Sequence, residues 1–304
     1  MPAVAPPVAW PLVSYVMPTF NRVATFEKAL RSIVQERQDN YPNLEIVVID
    51  GASKDGTTEL IKQHAEAGHI DFWLSERDRS AAEAFNKGVK AAKGEIIRYC
   101  AADDTLVQGH TRPMVERLLA QPEIAVVGAR ASYFHVHADG RREAQPIYDR
   151  LESGRLTLDE VVSWVTGGVF GPIETWFFRR RVFDQVGYLD SAFRICPDLE
   201  FAFRVVKAGL GFYIAPERIV NKCYFEGGGN LVGEDANKLH EWREVLLRHT
   251  GRVDESLFRP ATPQGPLPSR LFWSAWLAGV KGLKRTAPGA YETARRAVRG
   301  RRAS

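Results

Sequence analysis

With 304 residues, 45% of them hydrophobic and 26% charged, the chain can bury a substantial core as one large domain or two small ones. A net charge of +4 is too mild to point to nucleic acid, and Cys100, Cys196 and Cys223 lack the paired spacing of a disulfide framework, which fits a reducing compartment. No run approaches the roughly 20 apolar residues of a membrane span, and residues 1–11 lack the basic start of a secretory signal, so a cytoplasmic protein is expected.

In chain order, residues 1–11 read as a flexible lead-in, and 12–17 predict a first strand closed by Pro18-Thr19-Phe20-Asn21. Phe26, Leu30, Ile33 and Val34 recur at helical spacing and predict a helix over 25–35 with Thr25 as its N-cap. Residues 45–50 predict a second strand, 58–67 a helix, 70–74 a third strand, 80–92 a helix and 95–100 a fourth strand. This alternation predicts right-handed βαβ units and a parallel sheet. Beyond Asp104 the rhythm changes. Helices are expected over 110–120, 157–165, 181–186, 199–207 and 234–249, and strands over 124–134, 174–178, 211–215 and 219–225. Ala138-Asp139-Gly140-Arg141 reads as a hairpin tip, Gly227-Gly228-Gly229 as a flexible break and 260–268 as a linker.

Two apolar runs end in acid. Ile46-Val47-Val48-Ile49 meets Asp50, and Ile96-Ile97-Arg98-Tyr99-Cys100 leads to Asp103-Asp104. In an open α/β sheet that edge is where ligands bind, and adjacent carboxylates there need a cation or hydrogen-bond donors. The pattern points to a metal and a phosphorylated ligand. An isolated Asp-Asp also suits a helix cap or a solvated turn.

The motifs that surround these acids resemble the family 2 inverting glycosyltransferases of the GT-A fold. They are Val13-Ser14-Tyr15-Val16-Met17-Pro18-Thr19-Phe20-Asn21-Arg22, Glu45-Ile46-Val47-Val48-Ile49-Asp50-Gly51-Ala52-Ser53-Lys54-Asp55-Gly56-Thr57, Ser75-Glu76-Arg77-Asp78, Ala84-Phe85-Asn86-Lys87-Gly88, Ala92-Lys93-Gly94-Glu95 and Ala102-Asp103-Asp104. The resemblance is strong over 12–130 and weaker to about residue 250. It implies an α/β fold, Rossmann-like, with a mixed, mostly parallel sheet flanked by helices. Residues 12–130 would form the nucleotide-sugar-binding half, 131–251 the acceptor half of the same domain, and 252–304 a linker and basic amphipathic helical extension.

The resemblance also implies roles. Asp104 would bind Mg2+ or Mn2+, with Asp103 sharing the ion or holding the ribose. Pro18, Thr19, Phe20, Asn21, Asp50, Asp78 and Asn86 would contact the nucleotide, with a UDP-sugar as the expected donor. The chain departs from the family's Asp-x-Gly pattern at Ser80, which lacks that glycine's backbone freedom. Asp198 would be the catalytic base, because an acceptor hydroxyl attacks well only as its proton leaves; Asp198 also suits the N-cap of the helix that follows, and Glu200 is the reserve base. Glu174, Trp176 and Glu200 would lie on the acceptor side, with Trp176 suited equally to core packing and to stacking on a sugar.

At the C-terminus, Leu271-Phe272-Trp273-Ser274-Ala275-Trp276-Leu277 precedes Lys281, Lys284, Arg285, Arg295, Arg296, Arg299, Arg301 and Arg302. Two readings stand: a helix on an anionic membrane surface through 271–302, or a helix packed on the catalytic core. The first would suit a peripheral enzyme on the inner face of the cell membrane acting on a lipid-linked saccharide. The activity implied is metal-dependent, inverting transfer of one sugar to a saccharide hydroxyl in bacterial surface polysaccharide biosynthesis. One alternative is a catalytically silent nucleotide-binding scaffold of the same fold. Another is a sugar nucleotidyltransferase, disfavoured because Pro18-Thr19-Phe20-Asn21-Arg22 stands where such enzymes carry a Gly-rich basic signature.

Overall fold

The computed structural model describes residues 10–137, 139–144, 154–165, 172–225, 236–251 and 253. The lead-in over 1–9, Ala138 of the expected hairpin tip, the glycine break at 227–229 and the extension from 254 onward lie outside these residues.

In the first half, β1 (Val13–Thr19), β2 (Leu44–Asp50), β3 (Phe72–Ser75) and β4 (Ile96–Tyr99) alternate with α1 (Val23–Asp39), α2 (Thr57–Glu66) and α3 (Ala81–Ala91). The pairings β1–β2, β2–β3 and β1–β4 are all parallel. Every residue of β1 and β2 is buried, as strands covered by helices on both faces must be. Val13, Tyr15 and Met17 alternate along β1 and join Phe26, Leu30 and Ile33 of α1 in one core. On the other face α3 lies so close that a side-chain carbon at Gly88 would collide with Val16. Gly94 is constrained in the same way, since a Cβ there would stand 2.7 Å from the Ser14 backbone nitrogen.

The second half contains β5 (Thr105–Leu106), α4 (Thr111–Ala120), β6 (Ile124–Val136), β7 (Arg142–Ala144), β8 (Gly154–Arg155), α5 (Leu158–Val165) and a 3-10 turn at Ile173–Thr175. It continues with β9 (Phe177–Arg179), α6 (Arg181–Val186), α7 (Pro197–Lys207), β10 (Gly211–Phe225) and α8 (Ala236–Thr250). Among the described residues ten strands form one sheet, with the order β3-β2-β1-β4-β9-β6-β10-β5 and with β7 and β8 beside β6 and β10. β6 and β10 pair in parallel, whereas β9 runs antiparallel to both β4 and β6. The chain travels outward through β1, β2 and β3 and then returns to β4 on the far side of β1. That reversal opens a crevice beyond the carboxyl ends of β1 and β4.

Three local expectations are corrected. α1 starts at Val23 and Thr25 does not cap it: the Val23 N–H donates to Asp55 Oδ2 at 3.0 Å and the Arg22 N–H to Thr57 Oγ1 at 2.8 Å. Thr25 Oγ1 donates instead to the Ala102 carbonyl at 2.9 Å, tying α1 to the loop after β4. Residues 174–178 are not one strand, because the chain first turns through the 3-10 segment after Pro172. The strands expected over 211–215 and 219–225 are a single β10, with an irregular register between Ile214 and Arg218. Pro216, which has no N–H for the ladder, lies within that irregularity.

Candidate active site

Short polar side chains lace together the loops after β1 and β2. Asp55 accepts from the Val23 N–H at 3.0 Å and the Thr57 N–H at 3.1 Å, so one carboxylate serves the starts of α1 and α2. Asn21 takes a left-handed φ of 50°; its side-chain oxygen accepts from the Lys54 N–H at 2.9 Å and its own N–H donates to Ser53 Oγ at 2.8 Å. Asp50 is wholly buried and accepts from Ser53 Oγ at 2.5 Å, Ser75 Oγ at 2.6 Å and Thr58 Oγ1 at 2.7 Å. Its carboxylate therefore organises the loops through three hydroxyl partners. Pro18 is buried within β1 opposite Ile49.

A more open edge forms around Gly51. A Cβ at that position would stand 2.8 Å from Asp78 Oδ2 and 3.2 Å from Phe20 Cδ2, so the missing side chain brings Asp78 and Phe20 together. Phe20 is 54% exposed, unusual for a phenyl ring and suited to a flat heterocycle. Burial raises the Asp78 carboxyl above its ordinary value, against the pull of Lys87. Thr19 Oγ1, at the end of β1, is buried without a hydrogen-bond partner.

Asp103 and Asp104 follow β4 and separate in role. Asp103 lies 3.5 Å from Arg22 Nε. Asp104 is 5% exposed, and its Oδ1 accepts from the Cys223 N–H of β10 at 3.0 Å. Its Oδ2 is buried without a hydrogen-bond partner. Lys222 Nζ stands 3.6 Å from that oxygen and donates to Glu174 Oε1 at 2.6 Å. Burial pushes the Asp104 carboxyl upward, Lys222 draws it back, and Glu174 and Asp103 push it up again. The sequence reading missed Lys222. Its one local signal is a charge set within the apolar strand around Val220 and Cys223.

Asp198 sits in the first turn of α7, one residue past Pro197, so it is not the N-cap. Its Oδ1 lies 2.9 Å from the Leu199 N–H. Burial and then the charge of Glu174 raise its carboxyl to about 7, while the Leu199 N–H and Lys222 oppose the rise. Asp198, Glu174, Lys222 and Asp104 thus share one electrostatic neighbourhood, built from α7, the 3-10 turn, β10 and the loop after β4. The approach to α7 is fixed by Glu241 of α8, whose carboxylate accepts from the N–H groups of Arg194 at 2.9 Å, Ile195 at 2.8 Å and Cys196 at 3.2 Å. Sequence reasoning overlooked this role, because the acid lies on a separate helix.

Three expected contacts turn out to be structural. Trp176 is fully buried, with its ring against Phe178 and Phe212, so it offers no platform to a sugar. Glu200 is 2% exposed and bound to Arg204 and to His249 Nε2, which removes it as an acceptor-side or reserve acid. Asn86 binds Leu189 twice: its Nδ2 donates to the carbonyl at 2.8 Å and its Oδ1 accepts from the N–H at 3.1 Å. It clasps α3 to the loop before α7 with one of its two N–H donors and one of the two lone pairs of its oxygen.

Among the described residues no group of three or more His, Cys, Asp or Glu side chains could hold a metal ion. The orphaned Asp104 Oδ2 nevertheless fits a hard cation of the Mg2+ or Mn2+ type, which commonly uses one or two carboxylates and takes its other oxygens from phosphates and water.

Residues 14–187 match the model of glycosyl transferase family 2. A curated relative, the glycosyltransferase GlyA of Streptococcus pneumoniae, is 21% identical over 184 residues, covering 58% of this chain and 25% of that protein. The chain thus spans about a quarter of that relative's length. The structure of S. aureus TarS 1-349 in complex with UDP-GlcNAc aligns with a TM-score of 0.60 at 15% identity, covering 81% of this chain and 68% of that one. A mannosyltransferase from Pyrobaculum calidifontis in complex with GDP-Man and Mn2+ aligns with a TM-score of 0.54 at 23% identity, covering 97% of this chain and 82% of that one. These structural likenesses identify the fold as GT-A.

Proposed function

The chain belongs to glycosyl transferase family 2, and from that membership we propose that it moves one sugar from a nucleotide-diphosphate donor to a saccharide hydroxyl with inversion at the anomeric carbon. The observation that supports this reading is the place of Asp198 in the first turn of α7, where burial and the charge of Glu174 push its carboxyl up to about 7. A carboxylate of that basicity takes a hydroxyl proton near neutral pH better than an ordinary aspartate does.

In the proposed reaction Asp198 accepts the acceptor's proton as its oxygen bonds to the anomeric carbon. The bond from that carbon to the diphosphate oxygen breaks, and its electron pair leaves with the nucleoside diphosphate. One displacement inverts the centre. Asp78 and Phe20 hold the base at the Gly51 edge. Asp104, with Asp103 beside it, would hold a divalent ion, and such an ion would supply positive charge to a departing diphosphate. Residues 12–130 would serve the donor and 131–251 the acceptor, although Lys222 and Cys223 carry the acceptor half directly onto Asp104.

A uridine donor and a role in bacterial surface polysaccharide assembly are parts of the same proposal. The neighbours bound to UDP-GlcNAc and to GDP-Man support a nucleotide-sugar donor. Among the described residues no helix is long and apolar enough to cross a membrane. The proposed surface-binding segment at 271–302 lies outside them. A screen of UDP- and GDP-sugars for thermal stabilisation with Mn2+ tests the donor class. A metal-dependent rise in Tm with one family of donors is expected, and no response to any of them would overturn the reading.

A further inference from the structure

We propose that Lys222 is a built-in cation of the donor site, which stands in the place of a divalent ion until nucleotide and metal arrive together. The proposal rests on the reading of Asp104 as the metal ligand. It starts from the geometry of one ammonium and two carboxylates. Lys222 Nζ is 2.6 Å from Glu174 Oε1 and 3.6 Å from Asp104 Oδ2. It is bonded to the first acid and just beyond hydrogen-bond reach of the second. The Lys222, Glu174 and Asp104 side chains are 16%, 15% and 5% exposed, so water screens these charges poorly.

Buried carboxylates this close to one another need a positive partner, and the protein supplies one from its own β10. A divalent ion bonded to Asp104 Oδ2 would lie about 2 Å from that oxygen. It would then share a small volume with the lysine ammonium, and two positive centres there repel each other strongly. Metal alone must therefore displace the ammonium or bear that repulsion. A diphosphate changes the balance, because its oxygens give both cations an anionic partner. Two consequences follow. The free protein binds Mn2+ weakly, and nucleotide and metal strengthen each other's binding.

The test is Mn2+ titration of the full chain without nucleotide, followed by electron paramagnetic resonance of free Mn2+. It compares wild type, Lys222→Met and Lys222→Gln, with Asp104→Asn combined with Lys222→Met. Both lysine variants are expected to bind Mn2+ at least tenfold more tightly than wild type. In a second titration with UDP or GDP present, the gain in Mn2+ affinity from nucleotide should shrink by a similar factor. Wild-type affinity in both lysine variants, with Asp104→Asn still abolishing binding, overturns the role of Lys222 and leaves the metal reading intact. Tight Mn2+ binding that survives Asp104→Asn in the Lys222→Met background overturns the metal reading itself.

Discussion

Lys222 donates to Glu174 across 2.6 Å, and this contact joins the long strand β10 to the 3-10 turn that leads into β9. From the same position the lysine reaches toward Asp104 and lowers the carboxyl of Asp198. The donor and acceptor acids are therefore coupled through one cation, and pH should report it.

Asp198 must be ionised to act as a base. Burial pushes its carboxyl up to about 7, so kcat/KM should fall about tenfold per pH unit below that value and level off above it. Lys222 favours the ionised form, so Lys222→Met should move this acid limb to higher pH. A pH–rate profile that is flat between 5 and 8 in wild type, at saturating metal, would contradict the assignment.

The same carboxyl bears on stability. Its folded value lies above the ordinary 3.8, so the folded state holds the proton more tightly than the unfolded chain does. The resulting penalty is absent at low pH, grows as pH rises past the unfolded value and is complete above about 7. Asp198→Asn should therefore raise stability by on the order of 2 kcal/mol at pH 8, after allowance for partial exposure, and by less at pH 5. Denaturant midpoints at the two pH values check the sign.

Much of the donor half is legible in the sequence for a physical reason. β1, β2 and β4 are apolar runs that end where the chain turns back, and Ser80 caps α3 by accepting from the Glu83 N–H. What is illegible depends on partners distant in the chain. Asp55 begins α1, Glu241 fixes the entry to α7, and Lys222 meets Asp104. Asn86 fits the family pattern by position and Trp176 is an aromatic residue suited to core or sugar, but their surroundings, the Leu189 backbone and the Phe178 and Phe212 rings, are set only by tertiary packing.

The Asn86 clasp gives a clean separation of structure from binding. Asn86→Ala leaves the Leu189 N–H and carbonyl without their side-chain partners and should cost about 1–3 kcal/mol. Nucleotide affinity measured by calorimetry below the unfolding temperature should stay within about threefold of wild type. A large loss of affinity with unchanged stability would restore Asn86 to the nucleotide site.

Glu241 should act through Asp198 without touching substrate. Glu241→Ala deprives the N–H groups of Arg194, Ile195 and Cys196 of their acceptor and should lower kcat about tenfold or more while donor KM changes little. Glu241→Gln keeps one carbonyl acceptor and should recover part of the loss. Equal damage to kcat and donor KM would instead indicate general disruption.

The most direct measurement pairs donor binding with turnover in Asp198→Asn. Calorimetry with Mn2+ and the nucleotide of the active donor should give an affinity within about threefold of wild type, while acceptor-dependent release of nucleoside diphosphate falls by at least about a thousandfold. Turnover near the wild-type rate in Asp198→Asn would contradict the assignment of Asp198 as the base.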